Sequence, residues 1–268
     1  MWHRFVLPLV LSAACGSPSP SVPDAPHHAD AARVDAALDA FVPDAYDGPD
    51  LSCVGQPSPS TAPDTLPLDG KVFVVDHYQV MPFAGATLTV HRRSDDAVLA
   101  TSSTTAADGT YALSAHTNGT ALDAYLTVAA PGEVPVQIDP GDPLTTGFFG
   151  LALVAPADEI QRWYADAGTT YSPDAATLIA IAVDCNHASI TGATMTLAPQ
   201  ASLVYYNNNR WDPAATASDK GYALVHPSAP ETITAAWHTT QLPPHAVTAP
   251  ASTLTLAVLS PYKRPTDP

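Results

Sequence analysis

The sequence predicts an all-β protein with two seven-stranded, Greek-key-type β-sandwiches, one short helix linking them, and a disordered N-terminal tail. Three observations support this fold class. The 268-residue chain contains 28 Pro and 14 Gly, and strong helix formers do not occur in long runs. Beyond residue 67, short apolar segments alternate at period two between turn residues. One strand–turn–strand pattern then recurs farther along the chain.

The first fourteen residues have the three parts of a secretory signal peptide. Residues 1–4 carry a positive charge at Arg4, residues 5–11 form an apolar run, and residues 12–14 are small. The apolar run is too short to span a bilayer. The sequence therefore predicts a signal peptide over residues 1–14.

Cys15 directly follows these small residues, and this arrangement resembles the lipobox of bacterial lipoproteins. In that family, cleavage leaves the cysteine as the new N-terminus, and the cysteine carries the lipid. The resemblance implies lipid attachment at Cys15 and therefore a membrane partner reached through the anchor. Gly16 and Ser17 follow without an Asp, which is typical of export to the outer membrane, so we expect an envelope location, periplasmic or surface-exposed. The alternative is an ordinary secretory signal in which Cys15 has no such role.

Residues 15–67 have the composition of a spacer. They contain ten Pro, and eight Asp against the single cation of Arg33. Such a segment buries too little apolar surface to offset its conformational entropy, so we predict a lipidated, disordered Asp/Ala/Pro tether. Its reach would be on the order of 40 Å. The formal charge of the whole chain is −16, which argues against nucleic acid as a partner.

The first predicted β-sandwich covers residues 68–155. Its predicted strands lie at residues 71–75, 87–90, 97–100, 110–113, 125–128, 134–136 and 148–154. A helical linker follows over residues 156–175, because Pro156 is suited to a helix start and acidic residues occupy the first turn. The helix should end near Gly168. The residues predicted for its buried face are Ile160, Trp163 and Tyr164.

The second predicted sandwich, residues 176–262 with a tail at 263–268, repeats the first. Residues 85–90 match residues 192–197 (GATLTV against GATMTL), and residues 107–113 match residues 218–224 (ADGTYAL against SDKGYAL). In each half, a Gly stands where a tight turn needs a positive φ.

The Gly-Ala-x-Leu-x-Val and Asp-Gly-x-Tyr-x-Leu motifs resemble the carboxypeptidase regulatory-like domain. That domain is a transthyretin-like (prealbumin-like) sandwich with a carbohydrate-binding-like fold. The resemblance covers residues 68–154 and the two repeated motifs of the second half, where Lys220 separates the Asp from the Gly. It implies an accessory, adhesive or carbohydrate-binding-like module.

Two cysteines remain beyond the lipobox. An even pair in an oxidising compartment favours a disulfide between Cys53 and Cys185. Closing so long a loop would stabilise the fold by about 4–5 kcal/mol on the chain-entropy account. Two unpaired, buried thiols are the alternative.

No catalytic motif stands out, and we predict no cofactor, no metal site and no catalytic residue. The sequence has no zincin, Walker, CxxC or Gly-x-Ser-x-Gly motif. Asp184 and His187 flank Cys185, but a strand end and its loop is a simpler interpretation than a metal or thiol site. Hydroxyisourate hydrolases of the transthyretin-like fold end in Tyr-Arg-Gly-Ser, and intradiol dioxygenases need a His-x-His, neither of which occurs here. An enzyme is therefore the least supported interpretation.

The most function-like stretch is residues 205–211. Exposed aromatic rings beside amides and an Arg can stack on sugars or anchor a protein. The candidate ligand-binding residues are Tyr205, Tyr206, Asn208, Arg210 and Trp211. The alternative is a core strand followed by its turn, which the alternation favours. The function predicted from the sequence is a non-catalytic binding, display or scaffolding module whose partner is a protein or glycan, with carbohydrate recognition as the specific alternative.

Overall fold

The computed structural model of this chain describes residues 48–146, 151–199, 201–226 and 231–264. Asp47–Pro268 forms one compact unit. The predicted signal peptide, Cys15 and the tether up to residue 47 lie outside the described residues, as does most of the predicted C-terminal tail.

The described residues form nineteen strands and one helix. The strands of the first half are β1 (Thr65–Pro67), β2 (Gly70–Asp76), β3 (Gln79–Pro82), β4 (Thr87–Arg92), β5 (Val98–Thr101), β6 (Thr110–Tyr111), β7 (Ser114–His116), β8 (Ala124–Ala129), β9 (Val136–Asp139) and β10 (Leu151–Val154). The helix α1 spans Ala157–Asp166. The strands of the second half are β11 (Thr177–Ala182), β12 (Thr194–Ala198), β13 (Ser202–Asn207), β14 (Arg210–Asp212), β15 (Tyr222–His226), β16 (Glu231–Trp237), β17 (Thr240–Gln241), β18 (His245–Val247) and β19 (Leu254–Leu259).

These strands stack in sandwich-like layers, and the predicted all-β fold class with one helix is confirmed. The largest sheet has nine strands in the order β14-β13-β15-β11-β19-β9-β8-β4-β5. Two four-stranded sheets accompany it, one built from β2, β3, β6 and β10 and the other from β12, β16, β17 and β18. The short strands β1 and β7 pair with each other.

The first core lies on one face of the nine-stranded sheet and extends along both halves of the chain. Every second residue of the sheet points into it, where the sheet packs against β2, β6, β10 and α1. The buried side chains of this core include Val72, Leu88, Tyr111, Leu126, Ile138, Val154, Ile160, Ile179, Leu224 and Leu256.

The second core lies on the opposite face of the same sheet, in the second half alone. There the sheet packs against β12, β16 and β18. The buried side chains of this core include Leu178, Ala180, Met195, Tyr205, Val225, Ile233 and Leu259. Strands β11 and β19 are therefore covered on both faces, which explains why their sequences are continuous apolar runs rather than alternating ones.

The two halves share hydrogen bonds across the sheet. Strand β19 of the second half pairs in parallel with β9 of the first, with Leu256 opposite Ile138. The predicted division into two sandwiches took each half as a separate domain, whereas the structure joins them through this pairing into one sheet.

Helix α1 forms between the halves, as predicted. Pro156 precedes it in an extended conformation, and Asp158 and Glu159 lie in its first turn, where the partial positive charge of the helix end stabilises carboxylates. All three side chains predicted for its apolar face, Ile160, Trp163 and Tyr164, are buried. Within the described part of the chain, no helix is long and apolar enough to cross a membrane.

The internal repeat is visible in the backbone. Parallel strand pairs β10–β2 and β19–β11 occupy corresponding places in the two halves. Gly109 and Gly221 both have positive φ (77° and 72°). A Cβ on Gly109 would lie 2.4 Å from the carbonyl oxygen of Val72, and a Cβ on Gly221 would lie 3.0 Å from that of Ala182. Only Gly fits these two turns.

The predicted tether extends too far toward the fold. Its last part, residues 48–67, belongs to the compact unit, because Cys53 and Leu66 are buried and Leu66 pairs with Ala115 between β1 and β7. The local composition is that of a spacer, but Leu66 pairs with Ala115 and Cys53 forms a disulfide with Cys185, both far along the chain.

Candidate functional site

Residues 205–211, the predicted binding stretch, form a β-hairpin at one edge of the nine-stranded sheet. Strands β13 and β14 pair with Tyr206 opposite Trp211. Asn208 and Asn209 form the turn with positive φ values of 51° and 61°. Asn208 and Arg210 are exposed. The hairpin thus presents an amide and a guanidinium to solvent.

The aromatic side chains of this hairpin do not form an exposed platform. Tyr205 points into the second core, where its hydroxyl accepts a hydrogen bond from the Met195 backbone N–H at 2.6 Å. Trp211 is 4 % exposed and belongs to the first core, on the opposite face, where its ring lies 6.3 Å from that of Trp163 and 5.2 Å from that of Tyr206. The geometry therefore removes the basis for stacking a sugar here, and the core-strand alternative is correct for Tyr205.

The predicted disulfide between Cys53 and Cys185 is present, with the two Cα atoms 5.9 Å apart. Beside it, the Asp50 backbone N–H donates to the Asp184 carboxylate, and the Cys185 N–H donates to the Asp50 carbonyl. The Asp184 carboxylate also accepts the N–H groups of Asn186 and Ala188. Asp184 therefore organises the loop after β11, which fits the simpler of the two interpretations of this segment.

A cluster that the sequence analysis missed lies at the turn between β2 and β3. The carboxylates of Asp76 and Glu159 and the ring of His77 offer ligand atoms within 4.8 Å of one another. The Glu159 carboxylate already accepts the backbone N–H groups of His77 and Tyr78 and the indole N–H of Trp163, and it pairs with Arg162. With its oxygens so engaged, Glu159 ties the turn to α1 and is a poor metal ligand.

Tyr78 extends the same tie, since its hydroxyl donates to the Asp166 carboxylate at the end of α1. Burial, followed by the negative charge of Asp166, raises the pKa of Tyr78 far above its usual value. The phenol therefore stays neutral and remains a donor at physiological pH. Both contacts hold the β2–β3 turn against the helix.

A buried ionic network lies where the two halves meet. The Asp139 carboxylate, at the end of β9, receives both terminal nitrogens of Arg93 at 2.9 Å and one of Arg264 at 3.2 Å. Arg264 also contacts His245, whose other ring nitrogen lies 2.8 Å from the Ser260 carbonyl. Asp139, Arg264 and His245 are all nearly or fully buried. The network joins β4, β9 and the C-terminal segment.

Next to this network, the outer face of the first half carries a row of polar side chains that crosses five neighbouring strands. We call it the threonine row. Strand registers place its members side by side in the order Thr101, Thr89, Thr127, Gln137 and Thr255. Thr101 is exposed, the next three are partly exposed, and Thr255, which lies in β19 of the second half, is fully buried.

An aromatic pair flanks the row on the same face. The rings of His91 and Tyr125 are stacked, with centroids 4.9 Å apart and planes 8° from parallel. His91 Nε2 lies 3.0 Å from the Thr127 hydroxyl, and the Tyr125 hydroxyl donates to the Asp96 carboxylate. Alternation in β4 and β8 indicates that these side chains share a face. The row itself depends on strand order and register, which the sequence analysis did not assign.

No protein-family model and no curated protein matches this chain. Among solved structures, the Bacillus anthracis TIE protein is similar at a TM-score of 0.25 and 10 % identity, over 73 % of this chain and 34 % of that one. The chain thus spans about a third of that protein. The shaft pilin SpaA from Lactobacillus rhamnosus GG has a TM-score of 0.25 and 11 % identity, over 73 % of this chain and 98 % of that one. The streptococcal ancillary pilin has a TM-score of 0.23 and 11 % identity, over 76 % and 64 % of the respective chains. Likeness this low carries no argument about this chain.

Proposed function

We propose that this chain is an envelope-anchored lipoprotein whose folded unit is a non-catalytic binding or display module. The disulfide between Cys53 and Cys185 is the observation that carries the proposal. Disulfides persist in oxidising compartments and are rare in the bacterial cytosol. The bond therefore supports export, in agreement with the signal-like residues 1–14 and with the lipobox-like position of Cys15.

The position of the disulfide also suits an anchored module. Cys53 follows shortly after the end of the acidic spacer, and Cys185 lies just after β11, a strand with neighbours on both sides in the nine-stranded sheet. A pull on the spacer would be passed through the bond to the middle of that sheet. The edge strands and the short β1–β7 pair would be spared.

Binding or display is favoured over catalysis by how the buried polar groups are used. Glu159 is occupied in holding a turn, Asp139 and His245 in joining the halves, and Asp184 in ordering a loop. Each is engaged in hydrogen bonds that stabilise the fold. Hydrogen-bonded polar networks of this kind suit a module that presents a fixed surface.

Substitution of the anchor residue tests the proposal. The full chain and its Cys15→Ala variant are expressed with their signal segment in a Gram-negative host, and envelope fractions are washed in high salt. We expect the parent and a Ser17→Ala control to stay with the membranes until detergent is added. Cys15→Ala should be soluble with an unchanged melting temperature, because residue 15 lies far from the fold in sequence. Membrane association that survives Cys15→Ala would contradict the anchor.

The disulfide is tested on the same samples by alkylating free thiols under denaturing conditions. The exported Cys15→Ala chain should take up no alkylating agent until a reductant is added. Uptake at Cys53 and Cys185 without reduction would contradict the oxidised compartment on which the proposal depends.

A further inference from the structure

We propose that the threonine row and its flanking rings form a binding site for a neutral glycan. The inference deepens the proposed function, on which it rests for the role of the folded unit as a binding module. It assigns the ligand class and the surface, which differs from the 205–211 hairpin.

The donor set of the row fits a ligand rich in hydroxyl groups. Its accessible members are the hydroxyls of Thr101, Thr89 and Thr127 and the amide of Gln137. Hydroxyls and amides both donate and accept, as sugar hydroxyls do. Neighbouring strands lie about 4.8 Å apart, so the four groups span roughly 14 Å in one line. That length suits a few linked sugar rings laid across the strands.

The stacked rings of His91 and Tyr125 supply the apolar contact that sugar recognition also needs. Both rings are partly exposed, and they lie two residues along the strands from Thr89 and Thr127, on the same face. Their geometry is fixed by mutual stacking and by the contact of His91 with Thr127. Rigid aromatic rings provide contact area at little cost in conformational entropy.

Charge complementarity favours a neutral ligand. The row contains no charged side chain, although the chain has a formal charge of −16. Among the charged side chains around it, Arg92 pairs with Asp95, and Arg93 pairs with both Asp123 and Asp139. The exposed Asp96 carboxylate accepts a hydrogen bond from the Tyr125 hydroxyl and adds negative charge beside the row. An anionic polymer would meet a net negative protein and no uncompensated cation here.

The second half closes one end of this surface. Thr255, in β19 of that half, is fully buried, and the Gln137 amide donates to the carbonyl of Thr248 at 3.2 Å. At the other end, β5 is the last strand of the sheet, and Thr101 is exposed. A polymer can therefore enter over the β5 edge and reach as far as Gln137.

The internal repeat provides a matched control. Thr196 of β12 corresponds to Thr89, and it also lies on an outer face, opposite Thr234 of β16. That pair belongs to a different sheet, which is not part of the threonine row. Loss of hydroxyls there should leave binding unchanged.

The test is affinity electrophoresis of the full chain carrying Cys15→Ala, through gels with a β-glucan, an α-glucan, a galactomannan or a xylan. At least one neutral polymer should retard the protein. Thr89→Val with Thr127→Val should weaken that binding by about tenfold or more, since two hydrogen bonds are lost at nearly constant shape. Tyr125→Leu should weaken it as well. Thr196→Val with Thr234→Val should bind like the parent.

Three outcomes would overturn the assignment: retardation by none of the neutral polymers, retardation only by an acidic polymer such as polygalacturonate, or equal loss in both double variants. Circular dichroism and melting temperature check that each variant is folded. Since the assay uses a chain that cannot be acylated, its failure leaves the anchor proposal intact, and failure of the anchor leaves the glycan result intact.

Discussion

One face of the nine-stranded sheet is polar and solvent-exposed in the first half of the chain, but apolar and buried in the second. Beyond Thr255 in β19, the line of cross-strand neighbours that contains the threonine row continues through Leu178, Val225 and Leu203. The first half of this face displays hydroxyls to solvent, whereas the second half packs into the second core. A single cross-strand row is therefore surface at one end and core at the other.

The difference shows that the residue types on this face, apolar or polar, depend on whether a second layer of strands covers the sheet. Where β12, β16 and β18 cover the sheet, burying one Leu side chain stabilises the fold by roughly 1.5–3 kcal/mol. Where nothing covers it among the described residues, Thr satisfies strand propensity and leaves a polar surface. The exposed end of the row, at Thr101, is accessible to a ligand, whereas the line of residues beyond Thr255 packs into the second core and stabilises the fold.

The largest effect is expected at the border between the two regions. Asp139→Asn removes the carboxylate that pairs with Arg93 and Arg264, and should lower the free energy of unfolding by about 3–5 kcal/mol, because buried cations lose their counter-charge. Urea unfolding of the oxidised chain measures it. Asp95→Asn, at the exposed pair with Arg92, should cost no more than about 1 kcal/mol. Equal losses in the two variants would mean that the border network is no more important than a surface pair.

The next prediction compares the two ends of the row directly. Leu178→Ala should lower the free energy of unfolding by about 2–5 kcal/mol, because it leaves a cavity in the second core. Thr127→Val at the open end should change it by no more than about 0.5 kcal/mol. The same urea titration measures both. A loss at residue 127 as large as at residue 178 would contradict the comparison.

A smaller effect separates two tyrosines of the first half. Burial, followed by the charge of Asp69, raises the pKa of Tyr111 to about 12. Burial, followed by the hydrogen bond to Asp96, also raises the pKa of Tyr125, whose side chain is partly exposed. A raised folded-state pKa contributes stability that is complete below the unfolded value near 10 and is lost as pH rises through about 12.

We therefore expect the free energy of unfolding to fall between pH 10 and about 12, and Tyr111→Phe to reduce that fall more than Tyr125→Phe does. Urea unfolding across this pH range measures the effect. A fall unaffected by Tyr111→Phe would show that another group governs alkaline unfolding.

Local patterns in the sequence predicted the fold class, the helix at residues 156–175 and the disulfide. The strands and the helix follow from local signals, namely period-two alternation and a Pro before acidic residues. The disulfide follows from an even pair of cysteines in an oxidising compartment. The joined sheet was not predictable in this way, because β9 and β19 are more than a hundred residues apart and neither sequence specifies its neighbour. The continuous apolar sequences of β11 and β19 were a signal of burial on both faces.

The candidate site was predicted less well, for a related reason. Aromatic content pointed to Tyr205, Tyr206 and Trp211, but alternation puts Tyr205 and Tyr206 on opposite faces, and a layer covers each face. The threonine row was missed because Thr on an exposed strand face is ordinary. Only the order and register of five strands reveal that these residues are aligned.

Hydroxyl-radical footprinting of the native chain compares the solvent access of reactive side chains, and so distinguishes the threonine row from the 205–211 hairpin as the exposed aromatic surface. We expect oxidation at His91 and Tyr125, which are partly exposed, and protection of Tyr205 and Trp211 in the two cores. Rapid oxidation of Trp211 together with protection of Tyr125 would contradict it, because the hairpin and not the threonine row would then be the open aromatic surface.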